Sequence, residues 1–131
     1  MNEPIGLDVE ILVDLHAEQL ALFGGLDGIR DQAVLESALG RPVNKSTYGE
    51  TDLAALAAAY AFGIARNHPF VDSNKGAAFG AIIVFLGLND IDFLVAPESA
   101  TAMILSLAAG EVNEEGLTRW IRDNWPLEPR E

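Results

Sequence analysis

The chain has 131 residues, half of them hydrophobic, and no cysteine, and its formal net charge is −12 from 8 basic and 20 acidic residues. That length suits a single domain, residues 1–131, whose core needs neither disulfides nor a thiolate metal site. A surface of that sign repels DNA and RNA, which argues against direct nucleic-acid binding, and it repels ATP except where a local basic or metal-bearing pocket receives it.

Met1-Asn2-Glu3-Pro4 lacks the basic and apolar regions of a signal peptide. From Asp8 to Phe23 the spacing of Val9, Leu12, Val13, Leu20 and Phe23, with His16 on the same face, predicts an amphipathic helix. Asp8 is its N-cap and Gly24-Gly25 its stop. His16 reads as a satisfied, partly buried histidine. Leu26 to Arg30 is a glycine-bearing loop, and Asp31 caps a short helix that runs through Leu39 and stops at Gly40. Arg41 to Glu50, with Pro42, Asn44, Ser46, Thr47 and Gly49, reads as an irregular connection.

Thr51 is the expected cap of the next helix, Leu53 to Ala65, whose alanines on nearly every side mark it as surrounded by close neighbours. A second apolar run, Ala77 to Leu88, is too short for a membrane span, which needs about 20 residues. The expected location is therefore the cytoplasm. Ile82, Ile83 and Val84 have strand propensity, but the run is long, unalternating and alanine-rich at its start, so a helix is expected. Ile91 to Phe93 is a short extended turn. Pro97 begins a helix that ends at Ala108, before Gly110, and Asn113 caps a last helix with Leu117, Trp120, Ile121 and Trp125 inward. The expected fold is all-α: about six helices around a central antiparallel helical hairpin.

The bend of that hairpin carries the chemistry. Arg66-Asn67-His68-Pro69-Phe70-Val71-Asp72-Ser73-Asn74-Lys75-Gly76 gathers an imidazole, a carboxylate, an amide and a lysine between the two most apolar segments. The start of the second helix offers unpaired N–H groups suited to a phosphate. Imidazole exchanges its proton near neutral pH, so His68 is the candidate base and Phe70 a packing anchor beneath it. Asp72 suits Mg²⁺ beside a phosphate, with an N-cap role as the plain alternative. Ser73 and Asn74 offer backbone N–H donors, the Asn74 side-chain amide a further one, and Lys75 a point charge. Arg66, one turn earlier, is either a structural ion-pair partner or a further phosphate or target contact.

His68 to Lys75 resembles the active-site motif of the Fic/Doc superfamily. Lys75, where Fic enzymes usually carry glycine, resembles the death-on-curing (Doc) toxin branch. Leu15-His16, Phe23-Gly24-Gly25 and Tyr48-Gly49 extend the resemblance along the chain. It implies a toxin that moves phosphate from ATP, with Mg²⁺, to a threonine or serine hydroxyl of a translation factor resembling elongation factor Tu. The alternatives are AMP transfer of the Fic type and a catalytically silent binding module. It also implies that the Arg41–Glu50 segment lies along the mouth of the site and aligns the target. Fic proteins that inhibit themselves carry Ser/Thr-x-x-x-Glu-Gly/Asn; here Glu115-Gly116 is preceded by Glu111, so a separate Phd-like antitoxin is the implied inhibitor. Gly76 and Ala77 depart from the pattern, which continues Arg-Thr after the lysine; the arginine clamps a nucleotide phosphate.

Overall fold

Alanine sets the architecture. In the computed structural model, which describes residues 3–127, helix α3 (Leu53–Asn67) has eleven buried positions, seven of them alanine, so neighbours approach it from every side. Helix α4 (Asn74–Leu88) packs along α3, and these two make the most extensive contact in the fold. Around this hairpin stand α1 (Val9–Phe23) against α4, α2 (Gln32–Thr47) and α6 (Glu114–Asp123) against α3, and α5 (Pro97–Ala108) against both. Among the described residues there is no strand, only one isolated antiparallel bridge between Ile29 and Phe70. The all-α expectation holds. So does the helix through Ile82–Val84, where burial against α3 overrides strand propensity.

Tight approach depends on small residues. A Cβ at Gly63 would meet Arg41 Cδ at 3.0 Å and Ala38 Cβ at 3.2 Å, so α2 and α3 pack almost backbone to backbone there. Gly80 gives Leu15 of α1 its place on α4 in the same way. The larger side chains, Tyr60, Phe85, Phe93, Leu12, Ile64 and Leu117 among them, fill the remaining core.

Three expectations need correction. Helix α2 does not stop at Gly40; it continues through Pro42 to Thr47. A proline inside a helix forfeits one hydrogen bond and costs roughly 3 kcal/mol. Here Pro42 is buried, while Arg41 and Lys45 both pair with Glu114 of α6 (Lys45 Nζ at 3.0 Å), and those contacts hold the turn. The cap of α3 is Asp52, not Thr51: its carboxylate accepts from Ala54 N at 3.0 Å and is paired with Arg122. On α1 the buried face is Leu12, Leu15 and His16, whereas Val9 and Phe23 are exposed, Phe23 at 78%.

The length of α2 relocates a segment. Its first residue adjoins the bend of the hairpin, since Arg30 N and Asp31 N both donate to Pro69 O. Sixteen helical residues then carry the chain about 24 Å away. Ser46 and Glu50 consequently lie with Leu53, Leu88 and Asn89 at the opposite end of the hairpin. The Arg41–Glu50 segment does not border the motif.

Candidate active site

The motif occupies the six-residue bend from His68 to Ser73 and the first turn of α4. His68 ends α3 in a left-handed conformation (φ 54°, ψ 66°), and Ser73 precedes α4 in another (φ 61°, ψ 31°). Each such conformation costs a non-glycine residue about 1–2 kcal/mol, so the surroundings must hold it.

The α1–α2 loop does this. Arg30 donates from Nε to His68 O at 2.6 Å and from a terminal guanidinium nitrogen to Asn67 O at 2.8 Å, closing the C-terminus of α3. Pro69 O accepts from Arg30 N, and Gly28 O accepts from Val71 N at 3.0 Å. Leu26 N donates to Asp72 Oδ2 at 3.2 Å. Gly25 (φ 123°) passes so close that a Cβ there would meet Asp72 Oδ2 at 3.0 Å and Ser73 Oγ at 3.2 Å, which excludes a side chain twice over. Residues 24–31, not 41–50, are therefore the wall of the site.

Helix α1 braces the bend from the other side. His16 is buried, its ring stacked on Phe70 at 3.8 Å between centroids and nearly parallel, and its Nε2 hydrogen-bonds Asp72 O at 2.8 Å. It is the satisfied histidine expected. Distant in sequence, it nevertheless lies directly beneath the motif. Phe70 is itself clasped: Asn74 Oδ1 accepts from Phe70 N at 3.0 Å and Asn74 Nδ2 donates to Phe70 O at 2.9 Å. The Asn74 carboxamide is thus used in shaping the bend.

What remains outward is the candidate chemistry. The His68 and Lys75 side chains are exposed. Asp72, also exposed, accepts from Leu26 N and from Ser73 N (2.8 Å), and these two bonds, with smaller help from His16 and Lys75, hold its carboxyl below the usual aspartate value. The Ser73 N–H is committed to Asp72, so at the start of α4 the N–H groups without a protein acceptor among the described residues are those of Asn74, Lys75 and Gly76. They form an anion-ready helix start directly after the Asp72 carboxylate, on the bend that His68 opens. Asp72 does not cap α4 by a side-chain bond, and Ser73 makes none either. Arg66 turns elsewhere: its guanidinium lies 5.3 Å from the Phe62 ring centroid, beside Gly110. Ala77 is buried.

A groove of about 450 Å³ between α1, α4 and α5 reaches the motif at Lys75 and Gly76. Its walls include Leu22, Phe23, Phe79, Ile104 and Leu105, of which Leu22, Phe23 and Leu105 are exposed. No described helix is long and apolar enough to cross a membrane.

Comparison with known proteins agrees with this arrangement. The model of the Fic/DOC family matches residues 6–86, from before α1 to near the end of α4. The protein kinase doc of Escherichia phage P1 is 32% identical over 114 residues, covering 86% of this chain and 90% of that protein. The toxin Doc of Mycolicibacterium smegmatis (strain ATCC 700084 / mc(2)155) is 39% identical over 72 residues, 53% of this chain and 55% of that protein. The braced bend, the helical frame around it and these relatives together make the chain a member of the Fic/DOC family, on its Doc toxin branch.

Proposed function

We propose that this protein is the toxin of a toxin–antitoxin pair and transfers phosphate from ATP to a threonine or serine hydroxyl of a translation factor resembling elongation factor Tu. The observation that carries the reading is the bend itself: His68, Asp72 and three unpaired N–H groups within nine residues, held by braces from two other elements. The phage P1 relative, named a protein kinase, favours phosphate over AMP as the transferred group.

In this reading the attacking hydroxyl oxygen forms a bond to the terminal phosphorus while the bond from that phosphorus to the bridging oxygen breaks, and ADP leaves. His68 takes the hydroxyl proton. The N–H groups of Asn74, Lys75 and Gly76, with the Lys75 ammonium, bind phosphate oxygens and oppose the charge that develops on them. Asp72 fits Mg²⁺: an exposed carboxylate kept ionised by two N–H donors still has lone pairs for a metal that takes one or two protein oxygens beside phosphate. When bound, that ion supplies charge neutralisation across the phosphates.

The Phd-like antitoxin finds its seat in the groove beside Lys75. An amphipathic segment laid against Phe23, Phe79 and Leu105 would also cover the start of α4. Co-expression with the neighbouring gene is expected to recover a small partner with the native chain and to lose it with Leu105→Glu; recovery of no partner counts against the pairing.

Gly76 favours a second reading, a silent binding module, because one preorganised charged donor is missing. Such a loss lowers a rate by about 10²–10³. Mass spectrometry of translation factors incubated with ATP decides. A gain of one phosphate, abolished by His68→Ala, supports the kinase; a gain of AMP supports the Fic-type reaction. No gain in either the native chain or Gly76→Arg leaves the silent module.

A further inference from the structure

One face of α1, His16, Gln19 and Leu20, is laid along the motif. His16 reaches Asp72 O, and Leu20 lies 3.1 Å from the Cβ position of Gly25. Gln19 reaches the first turn of α4. Its carboxamide fills the space that a side chain at position 76 would take, so that any Cβ there would contact Gln19 Oε1 and meet Gln19 Cδ at 3.1 Å. Half-buried, this carboxamide shares the wall of the groove with Lys75 and Gly76. It has no hydrogen-bond partner among the described residues, and it lies against Gly76 in the first turn of α4, where the N–H groups of Asn74, Lys75 and Gly76 are unpaired.

We propose that Gln19 is a phosphate ligand of the nucleotide site, entering the space that Gly76 leaves open and donating its amide N–H to a phosphate oxygen. The inference rests on the nucleotide reading above and deepens it. A carboxamide suits this position because it can show either end. With its oxygen toward α4 it faces the positive helix start as an acceptor; rotated about its last bond it offers two donors to an anion. Lacking a charge, it is a weaker phosphate ligand than a guanidinium, since charge-assisted bonds with an ionised donor are the stronger kind. Gly76 and Gln19 thus act as a pair: the absence of one side chain is the condition for the other.

The test is calorimetric titration of the full chain with Mg²⁺–ATP, with the melting temperature of each variant recorded. Gln19→Ala is expected to weaken binding about tenfold, the worth of one hydrogen bond to a charged group. Gln19→Glu, the same shape with the donor replaced by a negative charge, is expected to weaken it further while leaving the melting temperature close to native. Gly76→Ala, whose methyl displaces the carboxamide, should weaken binding in the native chain and have little effect in a Gln19→Ala background, the coupling expected of two positions acting as one. Native-like affinity in Gln19→Ala and Gln19→Glu overturns the proposal. So does additive behaviour of Gly76→Ala. If Gly76→Arg binds ATP and the native chain does not, the nucleotide site stands and the Gln19 role falls. If neither binds, both fall.

Discussion

Arg30 holds the backbone of His68 in place. Its two bonds to the carbonyls of Asn67 and His68 secure a left-handed residue at the end of α3. Arg30→Ala is expected to lower stability by about 1 kcal/mol, since these bonds are exposed, and to reduce phosphate transfer while leaving ATP affinity near native; thermal melts and a rate measurement check both. Arg30→Lys should restore little, because an ammonium lacks the fork that spans two carbonyls. Asp72 has a pH consequence. Its folded-state carboxyl sits below the ordinary 3.8, so its contribution to stability is present above that value and is lost as pH falls through the lower folded value. Asp72→Asn should therefore lower stability in the neutral region, where the native carboxylate contributes, and converge with the native protein below the folded value, which flattens the acid side of the curve, as denaturant titrations at stepped pH would show. Much of this was legible: His68, Asp72 and Lys75 are exposed at one bend, as their spacing implied. Arg30 and Gln19 were not, because their roles come from pairings 37 and 57 residues distant that no local pattern announces. The Asn74 backbone N–H has no protein acceptor among the described residues, as expected, but its side-chain amide is not a further outward donor, because the bend folds back and spends the carboxamide on Phe70 four residues earlier.

At the scale of elements, propensity was the weaker guide and burial the stronger. Gly40 and Pro42 announce a helix end, yet contact with α3 and α6 carries α2 past both. A Cβ at Gly40 would meet nothing within 4 Å, so Gly40→Ala is expected to stabilise the protein by roughly 0.5–1 kcal/mol, a rise of a few degrees in melting temperature. Gly63→Val should do the opposite, losing about 1–3 kcal/mol, because the added carbons meet the Ala38 backbone at 3.3 Å rather than open space. The two alanine-rich helices were readable because no other placement hides apolar residues on all sides. The cap of α3 was misread by one residue. Thr51 and Asp52 are both good caps, and only the tertiary partner Arg122 tells them apart.

For the whole molecule, the division of the hairpin into two unlike ends matters most. One end carries the bend, its wall from residues 24–31, and the groove beside Lys75; the other carries the turn at Tyr48–Glu50 and the end of α4. Tyr48 there is 90% exposed, and Gly49 holds φ 106°, a value that few other residues adopt readily. The corner is therefore a natural handle. A dye, a surface tether or a short inserted peptide at Tyr48 would report on this protein or immobilise it from the side facing away from the bend, leaving unhindered the groove and helix start where we propose antitoxin and nucleotide bind.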